Sequence, residues 1–159
     1  MDEQSAWLQQ LPADTQEHAR RLLDALARLG CHDPEVWARS EIQEDIPQLA
    51  RYRFLKSLWP DLIDDWQAGA AQLPAAQRAL LAGADEHDLT QLARAVAYET
   101  VFAMLLHIGD GPSDDERLPG WAVSEIDPDG EPTGRLLRGL HEDLLGLDPS
   151  GREGQDLWS

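Results

Sequence analysis

The stretch "ARAVAYETVFAMLLHIGDG", Ala93 to Gly111, decides the fold. At 3.6 residues per turn, Ala95, Val96, Ala97, Val101, Phe102, Ala103, Met104, Leu105 and Leu106 point to every side of one helix. A helix apolar all round is expected at the centre of a bundle, covered on several sides by its neighbours. Asp85 offers an N-cap. The acidic "DEHD" (Asp85 to Asp88) makes a first turn that suits the positive end of the helix dipole. The predicted helix therefore runs from about residue 86 to 108.

Upstream, the chain reads as helix after helix. "DTQEHARRLLDALARLG" places Ala19, Leu22, Leu23, Leu26 and Leu29 at helical spacing, with Asp14 and Glu17 as an acidic capping box and Gly30 as the stop. Asp33 and Pro34 open a second helix, which ends ahead of Pro47. "QLARYRFLKSLW" repeats Leu49, Tyr52, Leu55 and Leu58. Pro60 is expected to restart a helix whose buried stripe is Leu62, Ile63, Trp66 and Ala70. "PAAQRALLAG" is a short helix from Pro74 to Gly83.

Composition changes at Gly109, and from there to the end lie nine of the 12 glycines and five of the 10 prolines. "GDGPSDDERLPG" reads as an acidic loop, "WAVSEID" as a strand and "DPDG" as a turn. "EPTGRLL" returns as a second strand, which Pro132 restricts to an edge. "GLHEDLLGL" reads as a last short helix, and beyond it lies a polar tail that docks through Leu157 and Trp158. The expected architecture is mainly α: a helical bundle around the central apolar helix, with a small β hairpin and a short helix in the C-terminal third. One domain is expected over 1–159, helical to 108, with 109–159 packed on it.

Charge narrows the function. Thirty acids stand against 13 bases, a formal net charge of −17. Such a field repels nucleic acids and anionic membranes and draws cationic partners, so direct nucleic-acid binding is not expected. Lys56 is the only lysine, and the Arg, Ala and Leu bias fits a gene from a GC-rich bacterium. A single cysteine, Cys31, allows neither an internal disulfide nor a thiolate metal cluster. "MDEQSAWLQQLPAD" lacks the basic flank of a signal peptide, and the apolar runs fall short of a membrane span. The expected location is the cytoplasm.

Chemistry-bearing residues are few. Glu99 and His107 lie in the apolar helix, eight residues or about 12 Å apart, too far to share an ion. A buried Glu99 needs a partner, such as an Arg from "ARYRF" or "TGRLLRG", or else serves as a functional carboxylate. His107 suits the negative end of the helix. His141 and Glu142 are adjacent and diverge by about 100° on a helix. The helical zinc signature, the phosphate loop and the nucleophile elbow are all missing, and no metal or cofactor is expected. "DPDGEPTG" fits a hairpin turn better than a calcium loop. The six tryptophans read first as core, with Trp59 and Trp66 on one helical face.

These features support two functional expectations. The first is an acidic protein-binding module of the inhibitor or immunity type, neutralising a basic partner such as a toxin or nuclease. Its expected contact residues are Asp110, Asp114, Asp115 and Glu116 in the acidic loop and Asp61, Asp64 and Asp65 in "DLIDD", with "EIQED" as a further acidic stretch. An adaptor encoded beside its partner belongs to the same class. The alternative is a small metal-assisted enzyme near the end of the long helix, built from Glu99, His107, His141 and Glu142 beside Asp110.

Overall fold

The computed structural model describes residues 3–66, 72–111 and 119–158. It is mainly helical, with six α-helices and one two-stranded hairpin among the described residues. The chain divides into two compact units. Met1–Arg53 with Val123–Leu137 make the first, and Phe54–Ala122 with Arg138–Ser159 the second.

In the first unit, α1 (Glu3–Gln10) and α3 (Pro34–Glu44) pack on α2 (Ala13–Arg28). The period-3.6 stripe of α2 is buried as its spacing predicts: Ala19, Leu22, Leu23 and Leu26. Each such leucine stabilises by about 1.5–3 kcal/mol relative to exposure. The helix stops in a Schellman turn. Cys31 N donates to Leu26 O and Gly30 N to Ala27 O, with Gly30 in the left-handed region. The start differs from the sequence expectation. Pro12, extended at ψ 149°, holds the N-cap position, so Asp14 falls inside the first turn and accepts from Thr15 N instead of capping. Asp33 does occupy the cap position of α3, without a side-chain cap bond.

The hairpin belongs to this unit. β1 (Ser124–Ile126) and β2 (Pro132–Leu136) pair antiparallel around the Asp127–Gly130 turn, which Gly130 N closes onto Asp127 O. Three residues of β1 face five of β2, so the pair is bulged; Gly134 takes up the excess at φ +84°.

The second unit begins within α4 (Gln48–Leu58). Pro60 does not restart an α-helix. It lacks an N–H for the ladder, and Trp59–Ile63 forms a π turn closed by Asp64 N to Trp59 O at 2.7 Å. The wider turn changes the direction in which the next side chains point. Trp59 and Ile63 are fully buried, whereas Leu62 and Trp66 turn outward, at 48% and 36% exposure. The expected four-residue buried stripe is therefore reduced to Ile63, and Ala70 lies outside the described residues.

After α5 (Pro74–Leu81) comes the long helix α6 (Glu86–Asp110). Asp85 caps it, its carboxylate accepting from His87 N and Asp88 N. One side of α6 carries the unit's aromatic core. The Tyr98 ring lies against Trp59, Phe102 and Trp158, and Phe102 meets the edge of His141. Trp59 Nε1 donates to Leu144 O, which ties the π turn to the C-terminal segment. That segment is not an α-helix. It is a chain of 3-10 turns (Leu140–Asp143, Leu145–Leu147, Gln155–Leu157) broken by Gly139 and Gly154, both at positive φ. Leu140, Leu144 and Leu157 are nonetheless buried.

Candidate functional site

The opposite side of α6 is open. Leu92, Val96 and Met104, at i, i+4 and i+12, are 61%, 57% and 52% exposed. The apolar sequence of this helix does not mean cover on every side; one face has no partner among the described residues of the unit. The reason lies in its neighbours. α5 buries none of its residues, and the π turn aims Leu62 and Trp66 outward, so these elements form walls and leave a trough between them.

The trough has a volume of about 840 Å³. Its floor is Leu92, Val96, Thr100 and Met104 of α6, and its walls are Leu58, Leu62 and Trp66 on one side and Leu73, Ala76 and Ala79 on the other. Among the described lining residues only Thr100 and Trp66 carry a polar side-chain atom, and the Thr100 hydroxyl is spent on Val96 O at 2.7 Å. A second hollow shares Val96, Thr100 and Met104 and extends the apolar surface toward Glu99. Exposed apolar patches of this kind occur where a protein meets another protein, a membrane or a ligand.

The residues expected to carry function fall in different places. Glu99 is exposed at the edge of the second hollow, so the buried-carboxylate reading fails: the turn of α6 it occupies faces outward. His107 is also exposed. Its ring lies 5.1 Å from the Trp121 ring, and its carbonyl accepts from Trp121 Nε1. His141 packs on Phe102, and Glu142 is exposed beside Gly139. Among the described residues no group of three or more His, Cys, Asp or Glu could hold a metal ion. Asp61 and Asp65 are exposed next to Leu62 and Trp66. Asp114, Asp115 and Glu116 lie outside the described residues, as does the side chain of Asp110.

Asp64 has a different task. Arg94, 7% exposed, donates from Nε and Nη2 to Asp64 Oδ1 at 3.0 and 2.8 Å, and from Nη1 to Asp156 Oδ2 at 2.8 Å and Gln91 Oε1 at 3.0 Å. Burial opposes the charge on Arg94, but the bonds to Asp156 and Asp64 outweigh it and raise its pKa above the ordinary value. The Arg94 bond in turn holds Asp156 below the usual carboxylate range. This clamp fixes the π turn and the C-terminal segment to the covered side of α6. By length and composition α6 is also long and apolar enough to cross a membrane, although no uninterrupted run in the sequence is. A single helix of this kind argues only weakly for a span, and Arg94 within it is bound by carboxylates of the same unit.

A second ion-pair cluster sits in the first unit. Glu41 of the "EIQED" stretch is buried, accepting from Leu49 N at 2.8 Å and from Arg135 Nη1 at 3.1 Å. Arg135 also meets Glu125 and Asp45, at 3.3 and 3.4 Å, so β2 is held to α3. Nearby, burial and then the neighbouring Cys31 push the Tyr52 phenol up to about 12. These groups hold structure.

Sequence reasoning misses the trough. Its signal is an apolar circumference on a helix flanked by proline-punctuated neighbours, but that pattern fits a buried helix and a vacant face equally well. The sequence matches no known protein-family model, no curated protein and no solved structure at a significant level.

Proposed function

We propose that this chain is an acidic protein-binding module of the inhibitor or immunity type, whose partner is a basic protein. The observation that carries the reading is the open apolar face of α6 on a chain of net charge −17. An apolar patch supplies affinity by desolvation, and the acidic field supplies orientation and encounter rate toward a cationic surface. Exposed Glu99 lines the second hollow, and exposed Asp61 and Asp65 adjoin the wall residues Leu62 and Trp66 in sequence, which gives the field a local expression.

The test is capture of the partner from cells of the source organism with the whole chain as bait, then affinity measurement on the purified pair. The expected partner is basic, and its affinity falls as salt rises past the point where the Debye length shrinks below about 10 Å. An affinity indifferent to salt, or an acidic partner, contradicts the reading.

A further inference from the structure

Resting on the protein-binding reading, we infer that the trough on α6 receives an amphipathic α-helix of the partner, with leucine-like residues on one face and Lys or Arg along its flanks. The first support is shape. The exposed ridge from Leu92 through Val96 and Thr100 to Met104 runs along the i, i+4 row of α6 and spans about 18 Å, the length of three helical turns. A second helix seats along such a row by placing its own ridge in the adjoining groove. The walls raised by Leu62 and Trp66 on one side and by α5 on the other leave room for it. Helix-in-groove recognition uses anchors at i, i+3 or i+4, and i+7, which match this spacing.

Chemistry decides among occupants. A small apolar ligand needs a few convergent polar groups to fix its orientation, and the trough offers almost none, since the Thr100 hydroxyl is engaged within its own helix. A second copy of this chain would bring one acidic surface carrying Asp61, Asp65 and Glu99 against an identical one in a two-fold interface, between molecules of charge −17 each. An anionic lipid surface is repelled by the same charge. A helix with basic flanks meets Glu99 at the edge of the hollow and Asp61 and Asp65 beside the wall residues Leu62 and Trp66, three acids against the exposed Arg78 of α5, and places no charge on the floor.

The probe is a synthetic peptide of roughly 18 residues, Leu on one helical face and Lys on the other, compared with a scrambled peptide of the same composition. Binding to the full-length chain is read by calorimetry, self-association by sedimentation, and lipid binding by flotation with phosphatidylcholine vesicles. The decisive variant is Val96→Glu, with Met104→Glu as its companion. Both positions are exposed, so the fold is retained, which circular dichroism checks. Each variant is more acidic than the parent, so mere charge attraction predicts equal or tighter peptide binding. Seating in the trough predicts the opposite: the amphipathic peptide binds the parent better than the scramble does, and each variant weakens it by about 30-fold, the scale of a lost hot spot.

Equal binding of parent and variants, equal binding of both peptides, a parent dimer abolished by Val96→Glu, or vesicle binding lost in that variant each overturns the inference. Repeating the partner capture with Val96→Glu separates the two proposals. Retention of the native partner by this variant overturns the helix-in-trough assignment alone, whereas a parent chain that takes neither peptide nor basic partner overturns both.

Discussion

Replacing Arg94 with Met removes the clamp of the second unit while keeping the volume and apolar stem of the side chain. Arg94 makes four hydrogen bonds, three to carboxylates and one to Gln91, and only 7% of its side chain is exposed. Its loss takes from Asp64 and Asp156 the guanidinium that they share. Breaking a buried pair costs about 3–5 kcal/mol. The two carboxylates retain 23% and 17% exposure and recover some hydration, so the lower end, about 3 kcal/mol at pH 7, is expected.

Urea denaturation checks this. With a slope near 2 kcal/mol/M, the midpoint falls by about 1.5 M. The pH dependence has a definite sign. Asp156 is depressed in the folded state, chiefly by its bond to Arg94. Its contribution is therefore complete above the unfolded value of about 3.9 and is lost as pH falls through the lower native value. The gap between parent and Arg94→Met is full at neutral pH and narrows below about pH 4. Adding Asp64→Asn and Asp156→Asn to Arg94→Met restores much of the loss by neutralising the two carboxylates that have lost their bonds to Arg94. A loss at pH 7 below about 1 kcal/mol, or a gap that does not change with pH, refutes the view that this cluster holds the unit together.

Two neighbouring residues of α6 distinguish its covered and open sides. Leu105→Ala, at a site 3% exposed, costs about 2–4 kcal/mol, whereas Met104→Ala costs less than about 1, both read by thermal or urea melts. Arg135→Ala strands the buried carboxylate of Glu41 and loosens β2 from α3, so amide exchange of Leu137, which bonds to Val123 O, accelerates well before global unfolding.

Local rules carry much of the fold. Asp85 and the apolar run after it locate α6, and "DPDG" between short β-rich segments locates the hairpin. Those signals act over a few residues, where capping and turn chemistry dominate. The failures share a different cause. Pro60 has the look of a helix start, but the chain already helical through Leu58 absorbs it as a π turn and swings Leu62 and Trp66 outward. Asp64 looks like a surface acid because its partner stands thirty residues on. Asp156, sixty-two residues beyond Arg94, gives no hint of pairing at all. Glu99 looks buried because its neighbours are apolar, and only the course of the other elements shows that its face is open. Long-range partners and uncovered faces are properties of packing, and periodicity does not encode them.

Hydrogen exchange on the chain, free and bound to its captured native partner, measures the seat of binding without any substitution. Protection concentrated in 58–66, 73–81 and 89–106 is the expected pattern, with the hairpin at 124–136 unchanged. Protection confined to the hairpin and α3, with the open side of α6 exchanging as in the free chain, would contradict the account.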